Sequence, residues 1–314
     1  MDTLAILLSK AIAKRKPLLK LTNAMRLVNG AGDDLKGLII DRYGRHFAIQ
    51  ILDKRYHEKK DHVVHYLQKH CAAVYCIVKD RILSTASTPD AFVSQVYTDS
   101  ASSTTIVEEY GLKFAVDLND GLNSGLFLDM RKNRHMIAGL SKGKRVLNCF
   151  AYTCSFGVHC RAAGATSVIN VDISKRYLER GQANYVLNHL PPGEKEFFRA
   201  DAGFYLDWTA GKAKRFDLII IDPPSFARHE KKVFSVKKDL EGLIALGLKA
   251  LELRGQIFVA TNFSGFTSAS LEMTIRTADK AHFIKRIAHM GQDRDFPGSN
   301  QSPETVLSAA LISI

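Results

Sequence analysis

The sequence predicts an α/β protein: a mostly parallel seven-stranded sheet covered by helices, preceded by a small α+β domain. Three observations predict it. From residue 145 onward, short apolar runs alternate with longer stretches of helical period, the pattern of βαβ units and a parallel sheet. Between 21 and 115 the runs are shorter and separated by turns rich in Gly, Asn and Asp. The length of 314 residues suits two domains of roughly 150 residues each, and the expected division is 1–115 and 116–314.

The chain starts on the cationic, amphipathic stretch from Leu4 to Lys16, without the small-residue cleavage site of a secretory signal. It reads as a helix packed on its own domain, with a transit peptide as the other reading. Turn signals at Asn29–Asp34 and Arg42–Gly44 bracket a strand over 37–41, and a second strand follows over 47–52. Val63, Val64, Tyr66 and Leu67 space a helix over 57–70. Residues 84–105, rich in Ser, Thr, Ala and Asp, read as a loop. Short strands or turns over 111–117 and 125–129 lead into a helix carrying Arg131, Arg134 and His135. The alternation then runs: strand 145–150, helix 155–163, strand 167–172, helix 174–189, strand 195–199, helix 202–210, strand 217–222, helix 234–253, strand 256–261 and helix 268–280. Strands over 281–288 and 306–313 lack a convincing helix between them, so an antiparallel pair is expected to close the sheet.

Apolar residues make up 46% of the chain and charged residues 24%, an ordinary globular composition that excludes wholesale disorder. Lys and Arg number 44 against 32 Asp and Glu, a formal charge of +12. The excess is spread, with 17 basic and 12 acidic residues in 1–115, and 27 and 20 in 116–314. A polyanion suits such a charge, because cations beside phosphates release condensed counterions; a merely soluble basic protein is the plainer alternative. Five cysteines without a CxxC pair argue against a disulfide scaffold or structural zinc, and no metal site is expected among the eleven histidines. No apolar run reaches the about 20 residues of a membrane span. The expected place is the cytoplasm.

Ligands of open α/β sheets bind at the carboxyl ends of the strands, and four such ends carry chemistry. The strand at 145–150 runs through Asn148 and Phe150 into Ala151-Tyr152-Thr153-Cys154-Ser155-Phe156-Gly157, a glycine-poor turn that serves a dinucleotide pyrophosphate badly. The next strand ends at Asp172, an acid suited to a ribose diol and equally to a helix cap. The third ends at Asp201, again a candidate cap. The fourth ends Asp222-Pro223-Pro224-Ser225-Phe226: a carboxylate, a rigid backbone and a ring on which a planar base can stack. The plainer reading of that end is a Pro-rich turn with a core Phe, and three converging polar positions weigh against it.

Together with Thr22–Gly30, Gly37–Gly44, Val107–Gly111 and Ser124–Arg134, these blocks resemble class I S-adenosylmethionine-dependent methyltransferases, whose fold is Rossmann-like. More narrowly, the chain is similar to bacterial large-subunit ribosomal RNA methyltransferases of the I and K types. The resemblance implies S-adenosylmethionine as cofactor, ribosomal RNA of the large subunit as partner, and no membrane; a homodimer is left open. It implies that the loop from Asn148 to Gly157, with Phe150, Tyr152 and Thr153, cradles the methionine part under Phe127, Asp129 and Arg131. Asp172 and Ile173 would hold the ribose, Asp201 and Ala202 flank the adenine, and Asp222, Pro223, Pro224 and Phe226 face the methyl group and target base. The segment after them, with Arg228, Lys231, Lys232, Lys237 and Lys238, reads as a phosphate clamp or, equally, as a solvated helix face.

Three departures from the family pattern are visible: Cys154 where members carry Gly, about twenty residues before Thr22 in place of an N-terminal RNA-binding module of PUA type, and Phe263 where C5-cytosine members place a nucleophilic Cys. C5 of cytosine needs a thiolate adding to C6. Guanine N7 already bears an exposed lone pair, and the stretches from Asp222 to Asp239 and from Thr261 to Phe266 resemble the N7-guanine members. The resemblance thus implies direct transfer to guanine N7, with an exocyclic amine open if Asp222 accepts its proton. The alternatives are a cytosine-C5 enzyme, a catalytically impaired RNA-binding or assembly factor, and a small-molecule or protein methyltransferase.

Overall fold

The computed structural model describes residues 3–82, 92–98, 102–121, 123–229, 232–263, 265–298 and 307–314, with backbone alone at 227–229 and 232–233. They form two compact units, Met1–Arg131 with Asp293–Thr305, and Lys132–Gln292 with Val306–Ile314. The expected division at 115 therefore differs from the observed one. The first unit runs on to Arg131 and takes back a distant segment, because Arg131 is paired with Asp293 and Asp295.

In the first unit, α1 (Thr3–Arg15) precedes β1 (Ala24–Asn29), β2 (Leu38–Tyr43), β3 (His46–Ile51), α2 (Lys54–His57), α3 (Lys60–Cys71), β4 (Tyr75–Asp80) and β5 (Val93–Thr98). A hairpin of β6 (Thr104–Glu109) and β7 (Leu112–Asp117) follows. Among the described residues, β1 to β5 form one sheet in sequence order, antiparallel except for β3 beside β4. Leu4, Leu8 and Ala11 of α1 and Val63, Val64 and Leu67 of α3 join one core with Met25, Leu27, Ile40, Phe47, Ile49 and Val78. The amphipathic start is thus a packed helix. Val93–Thr98 lies inside the stretch read as a loop; its alternation is weak because β5 is exposed along most of its length.

Alternation along β4 sends Val78 into that core and Lys79 to the opposite face. Lys79 is 1% exposed, and its ammonium donates to the Gly121 carbonyl. Burial lowers its pKa to about 8, while the charges of Asp41, Asp117 and Asp120 oppose the fall. Between that value and the unfolded 10.5, the unfolded chain binds the extra proton, so stability rises with pH across the window. The expected gain is about 3 kcal/mol. Urea unfolding at pH 7.5 and pH 10 checks it: Lys79→Met is expected to lose that part of the rise, and an unchanged rise would contradict it.

In the second unit, α4 (Arg131–Gly139, entered from the first) leads to β8 (Arg145–Cys149), α5 (Ser155–Ala162), β9 (Ser167–Asp172), α6 (Lys175–Leu187), β10 (Phe197–Arg199), α7 (Ala202–Gly211) and β11 (Phe216–Ile221). Then come β12 (Phe226–His229), β13 (Lys232–Ser235), α8 (Val236–Ala250), β14 (Leu251–Thr261), α9 (Ser268–Ala278), β15 (Arg286–Met290) and β16 (Ser308–Ser313). Among the described residues, seven strands form one sheet in the order β10-β9-β8-β11-β14-β16-β15. Five are parallel, and β16 runs antiparallel between β14 and β15 as expected. Leu147, Val171, Ile219, Ile257 and Ile312 point into a core with Leu206 of α7, Leu240 and Ile244 of α8, and Leu271 and Ile275 of α9. Their strand neighbours face the other way, where Phe156 of α5 packs on Phe258 at 5.5 Å.

Two segments depart from expectation. The helix expected over 234–253 is preceded by the β12–β13 hairpin and gives way at Leu251 to β14. The Val236 amide donates to the Ser225 carbonyl at 3.2 Å, closing the hairpin just after the two prolines. The strand expected over 281–288 starts only at Arg286, since the Phe283 and Ile284 amides donate to the Asp279 carboxylate at 2.9 and 2.8 Å.

Candidate active site

In register, Cys149 of β8 lies beside Val171 of β9 and Ile221 of β11, Asp172 beside Arg199 of β10, and Ile221 beside Val259 of β14. The parallel strands therefore end along one rim. The chain builds outward from β8 through β9 to β10, then returns at β11 to build the other side. This reversal between β8 and β11 is where an open α/β sheet leaves a crevice for ligands.

The loop leaving β8 is strained. Phe150, Tyr152 and Cys154 have φ of 56°, 50° and 59°, left-handed values that cost a non-glycine residue roughly 1–2 kcal/mol each. Such strain persists only where surroundings enforce it, and it gathers at functional sites. Here the enforcement is visible. The Ala151 amide donates to the Val171 carbonyl at 3.0 Å, the Tyr152 amide to Asp172 Oδ2 at 2.8 Å, and Asn184 Nδ2 to the Thr153 carbonyl at 3.0 Å. Cys154, standing where the resembling family carries Gly, sits at a left-handed position that glycine would fill without strain. Its sulfur fills the space over Gly181 of α6, where a Cβ would come within 2.3 Å of it.

Asp172 is half-buried. Oδ1 accepts the Ser174 amide at 2.8 Å, and Oδ2 accepts Tyr152. Burial pushes its carboxyl above the usual range, and the Ser174 and Tyr152 amides oppose that rise. Ser174, not Asp172, caps α6. A carboxylate offers about four lone-pair positions, so two amides leave acceptor capacity for a diol. Ile173 is exposed beside it, its carbonyl taken by Arg199 Nε at 3.3 Å. Asp201 does cap a helix: Oδ1 accepts the Phe204 amide of α7 at 2.9 Å, next to the buried Ala202. Asn148 is buried within β8 and donates to Asn170 Oδ1 at 2.9 Å, while Asn170 donates to the Tyr185 hydroxyl at 3.0 Å. Gly157 faces this pair, since a Cβ there would meet Asn170 Oδ1 at 2.2 Å and the Tyr185 oxygen at 2.7 Å.

After β11, Asp222 is half-buried, Pro223 buried, Pro224 exposed and the Phe226 side chain 56% exposed. The Ser225 hydroxyl donates to Asn262 Oδ1 at 2.8 Å, tying this loop to the one leaving β14. The Phe150 ring lies 5.8 Å from that of Phe234 in β13, so the cofactor-loop candidate and the Asp222 hairpin share one wall. Lys237 and Lys238 are exposed in the first turn of α8. Arg228 and Lys232 occupy the facing hairpin strands, and Lys231 lies outside the described residues.

Phe127, Asp129 and Arg131 belong to the first unit. Phe127 is exposed, and Asp129 lends its charge to Arg26. The Arg131 guanidinium is fully buried on Asp295 at 2.5 Å and Asp293 at 2.9 Å, contacts no local pattern announces. Asn262 was legible as a polar residue at a strand end; Tyr205, Asn170 and Tyr185 read simply as core or helix residues.

A nucleoside carrying an amino-acid tail fits this rim. Asp172 suits the diol, and the Ser155, Phe156 and Gly157 amides precede the first helical bond of α5, from Val158 to Cys154, so they are donors suited to a carboxylate. The family model described as "S-adenosylmethionine-dependent methyltransferase" matches residues 32–311. The chain is 35% identical over 265 residues to "Putative ribosomal RNA large subunit methyltransferase YwbD" of Bacillus subtilis (strain 168), covering 82% of this chain and 66% of that protein. It is 31% identical over 295 residues to "Ribosomal RNA large subunit methyltransferase I" of Shewanella frigidimarina, covering 92% of this chain and 73% of the relative. It is also similar to the crystal structure of SMU.776, "a putative methyltransferase complexed with SAH", with a TM-score of 0.87 and 30% identity over 99% of this chain and 80% of that one. With the strand reversal, the Asp172 acceptor and a match from residue 32 to 311, the chain belongs to the family of S-adenosylmethionine-dependent methyltransferases.

Proposed function

We infer that the protein transfers the methyl group of S-adenosylmethionine to a base of large-subunit ribosomal RNA, at guanine N7, in the cytoplasm. The bound cofactor supplies an electrophilic methyl on a sulfonium. Asp172 with Ile173 holds the ribose, Asp201 and Ala202 border the adenine, and the 148–157 loop holds the amino-acid end. Phe226 stacks the base, and the Pro223-Pro224 backbone fixes its approach beside Asp222. Phe127, Asp129 and Arg131, which belong to the first unit, are the further cofactor candidates that the family resemblance implies.

The state of the thiols carries the choice of atom. Cys149, Cys154 and Cys160 are the cysteines of the second unit, and each is fully buried. Burial pushes the thiols of Cys149 and Cys154 up beyond the ordinary range, and that of Cys160 to about 12. A covalent route through C6 of cytosine needs an exposed thiolate. Attack by the guanine N7 lone pair needs none; orientation supplies the rate. The names of the relatives support ribosomal RNA as substrate. The charge of +12 suits its phosphates, and Lys237 and Lys238 stand at a helix N-terminus that the helix dipole disfavours for cations, a cost consistent with phosphate contact alongside Arg228, Lys231 and Lys232.

Nucleoside mass spectrometry of ribosomal RNA from cells with and without the gene tests the reading. Loss of one 7-methylguanosine is expected. Loss of 5-methylcytidine instead would overturn the choice of atom, and no loss of any methylated nucleoside would overturn the substrate.

A further inference from the structure

Among the described residues of the second unit, Tyr205 of α7 buries a polar atom that the packing leaves unsatisfied. Tyr205 is 4% exposed, and its hydroxyl oxygen is fully buried with no hydrogen-bond partner. Its ring is packed against Phe198 at 5.3 Å and Trp208 at 5.6 Å. It belongs to the core that contains Cys149 and Val171, the residues in register at the carboxyl ends of β8 and β9. The Tyr205 amide donates to the carbonyl of Asp201, the cap of α7, at 2.9 Å, and Cys149 ends β8, so all three lie at the carboxyl-end side of the sheet. Burying a hydroxyl without a partner costs free energy, and a phenylalanine would fill the same volume without that cost.

We propose that the Tyr205 hydroxyl is a positioning group for the adenine ring of the cofactor, and that it gains its missing hydrogen bond only when the nucleoside is bound. The proposal rests on the methyltransferase reading of this rim. Its surroundings favour the adenine: Phe198 packs on the Tyr205 ring, and Val171 and Leu206 belong to the same apolar core, an environment that suits a neutral planar ring and disfavours the charged amino-acid end. A purine edge offers both acceptor nitrogens and an amine, either of which a phenol can pair. The hydroxyl thereby selects adenine by a bond that an apolar side chain at this position cannot make.

Tyr205→Phe tests this, with thermal unfolding of the unliganded protein and calorimetric titration as readouts. Without ligand, the variant is expected to unfold about 2–4 °C higher, because the orphaned hydroxyl is gone. Its dissociation constant for S-adenosylhomocysteine is expected to rise about 5–10-fold, and that for 5′-methylthioadenosine by the same factor, because the lost bond is to the nucleoside. A purely structural hydroxyl would move the midpoint and leave both affinities unchanged, which overturns the proposal. So does an affinity loss confined to S-adenosylhomocysteine, or a lowered midpoint, which would mean the hydroxyl was already paired. Failure of the unmutated protein to bind either ligand would instead overturn the cofactor reading itself.

Discussion

Asp295→Ala is expected to lower the unfolding free energy by about 3–5 kcal/mol. Asp295 is wholly buried and accepts Arg131 Nη2 at 2.5 Å, Arg131 Nη1 at 3.1 Å and the Arg26 amide at 3.1 Å. Its own carbonyl accepts Arg15 Nη2 at 3.0 Å, and Arg15 in turn holds Asp33 at 2.5 Å. Burial disfavours the Arg131 charge, yet the hydrogen bonds and charge of Asp295, aided by Asp293, raise its pKa above the ordinary value. Alanine would leave that guanidinium in the interior with Asp293 as its remaining carboxylate. An unpaired buried charge is what makes removal of one partner so costly. Asp293 is 16% exposed, so Asp293→Ala is expected to cost distinctly less. Urea unfolding followed by circular dichroism compares the two. Equal losses below about 1 kcal/mol would show that the cluster is not a structural hub.

The second large effect is on binding. Asp172→Ala is expected to weaken S-adenosylhomocysteine binding about 100-fold, since two charge-assisted bonds to a diol, at roughly 1.5 kcal/mol each, amount to about 3 kcal/mol. The same change strips acceptors from the Tyr152 and Ser174 amides, so the strained loop at 150–154 loses one of its restraints. Asp172→Asn keeps one acceptor oxygen and drops the charge, and an intermediate loss is expected. Calorimetry measures both. An alanine variant that binds within threefold of the unmutated protein would place the ribose elsewhere.

Much of this arrangement was legible in sequence because it is local. The alternation from β8 to β14 follows from apolar runs and helical spacing, and strands buried on both faces advertise themselves as continuous Val, Ile and Leu. The rim residues Asp172, Asp201 and Asp222 follow from one rule, that parallel strands present ligands at their carboxyl ends. Where expectation failed, non-local bonds decided. The Arg228–Lys238 stretch could be a helix face by pattern, but Arg228 and Lys232 lie on the paired strands β12 and β13, and the helix begins only at Val236, whose amide bonds back to Ser225. Gly157 looked like a loop glycine, and its closest demand comes from Asn170 and Tyr185 on other elements.

By itself the sequence determined the fold class, the succession along the chain of the strands that build the rim, and the residue types available there for a nucleoside and a base. Only the tertiary structure decided which of those residues have acceptors to spare. Asp201 spends one oxygen on a helix cap, Asp172 divides two oxygens between two amides, Arg131 is consumed by Asp293 and Asp295, and Tyr205 buries a hydroxyl with nothing to bond. The physical reason is that secondary structure follows from neighbours in the chain, whereas hydrogen-bond satisfaction is settled between residues as far apart as Arg131 and Asp295, whose pairing no local period encodes.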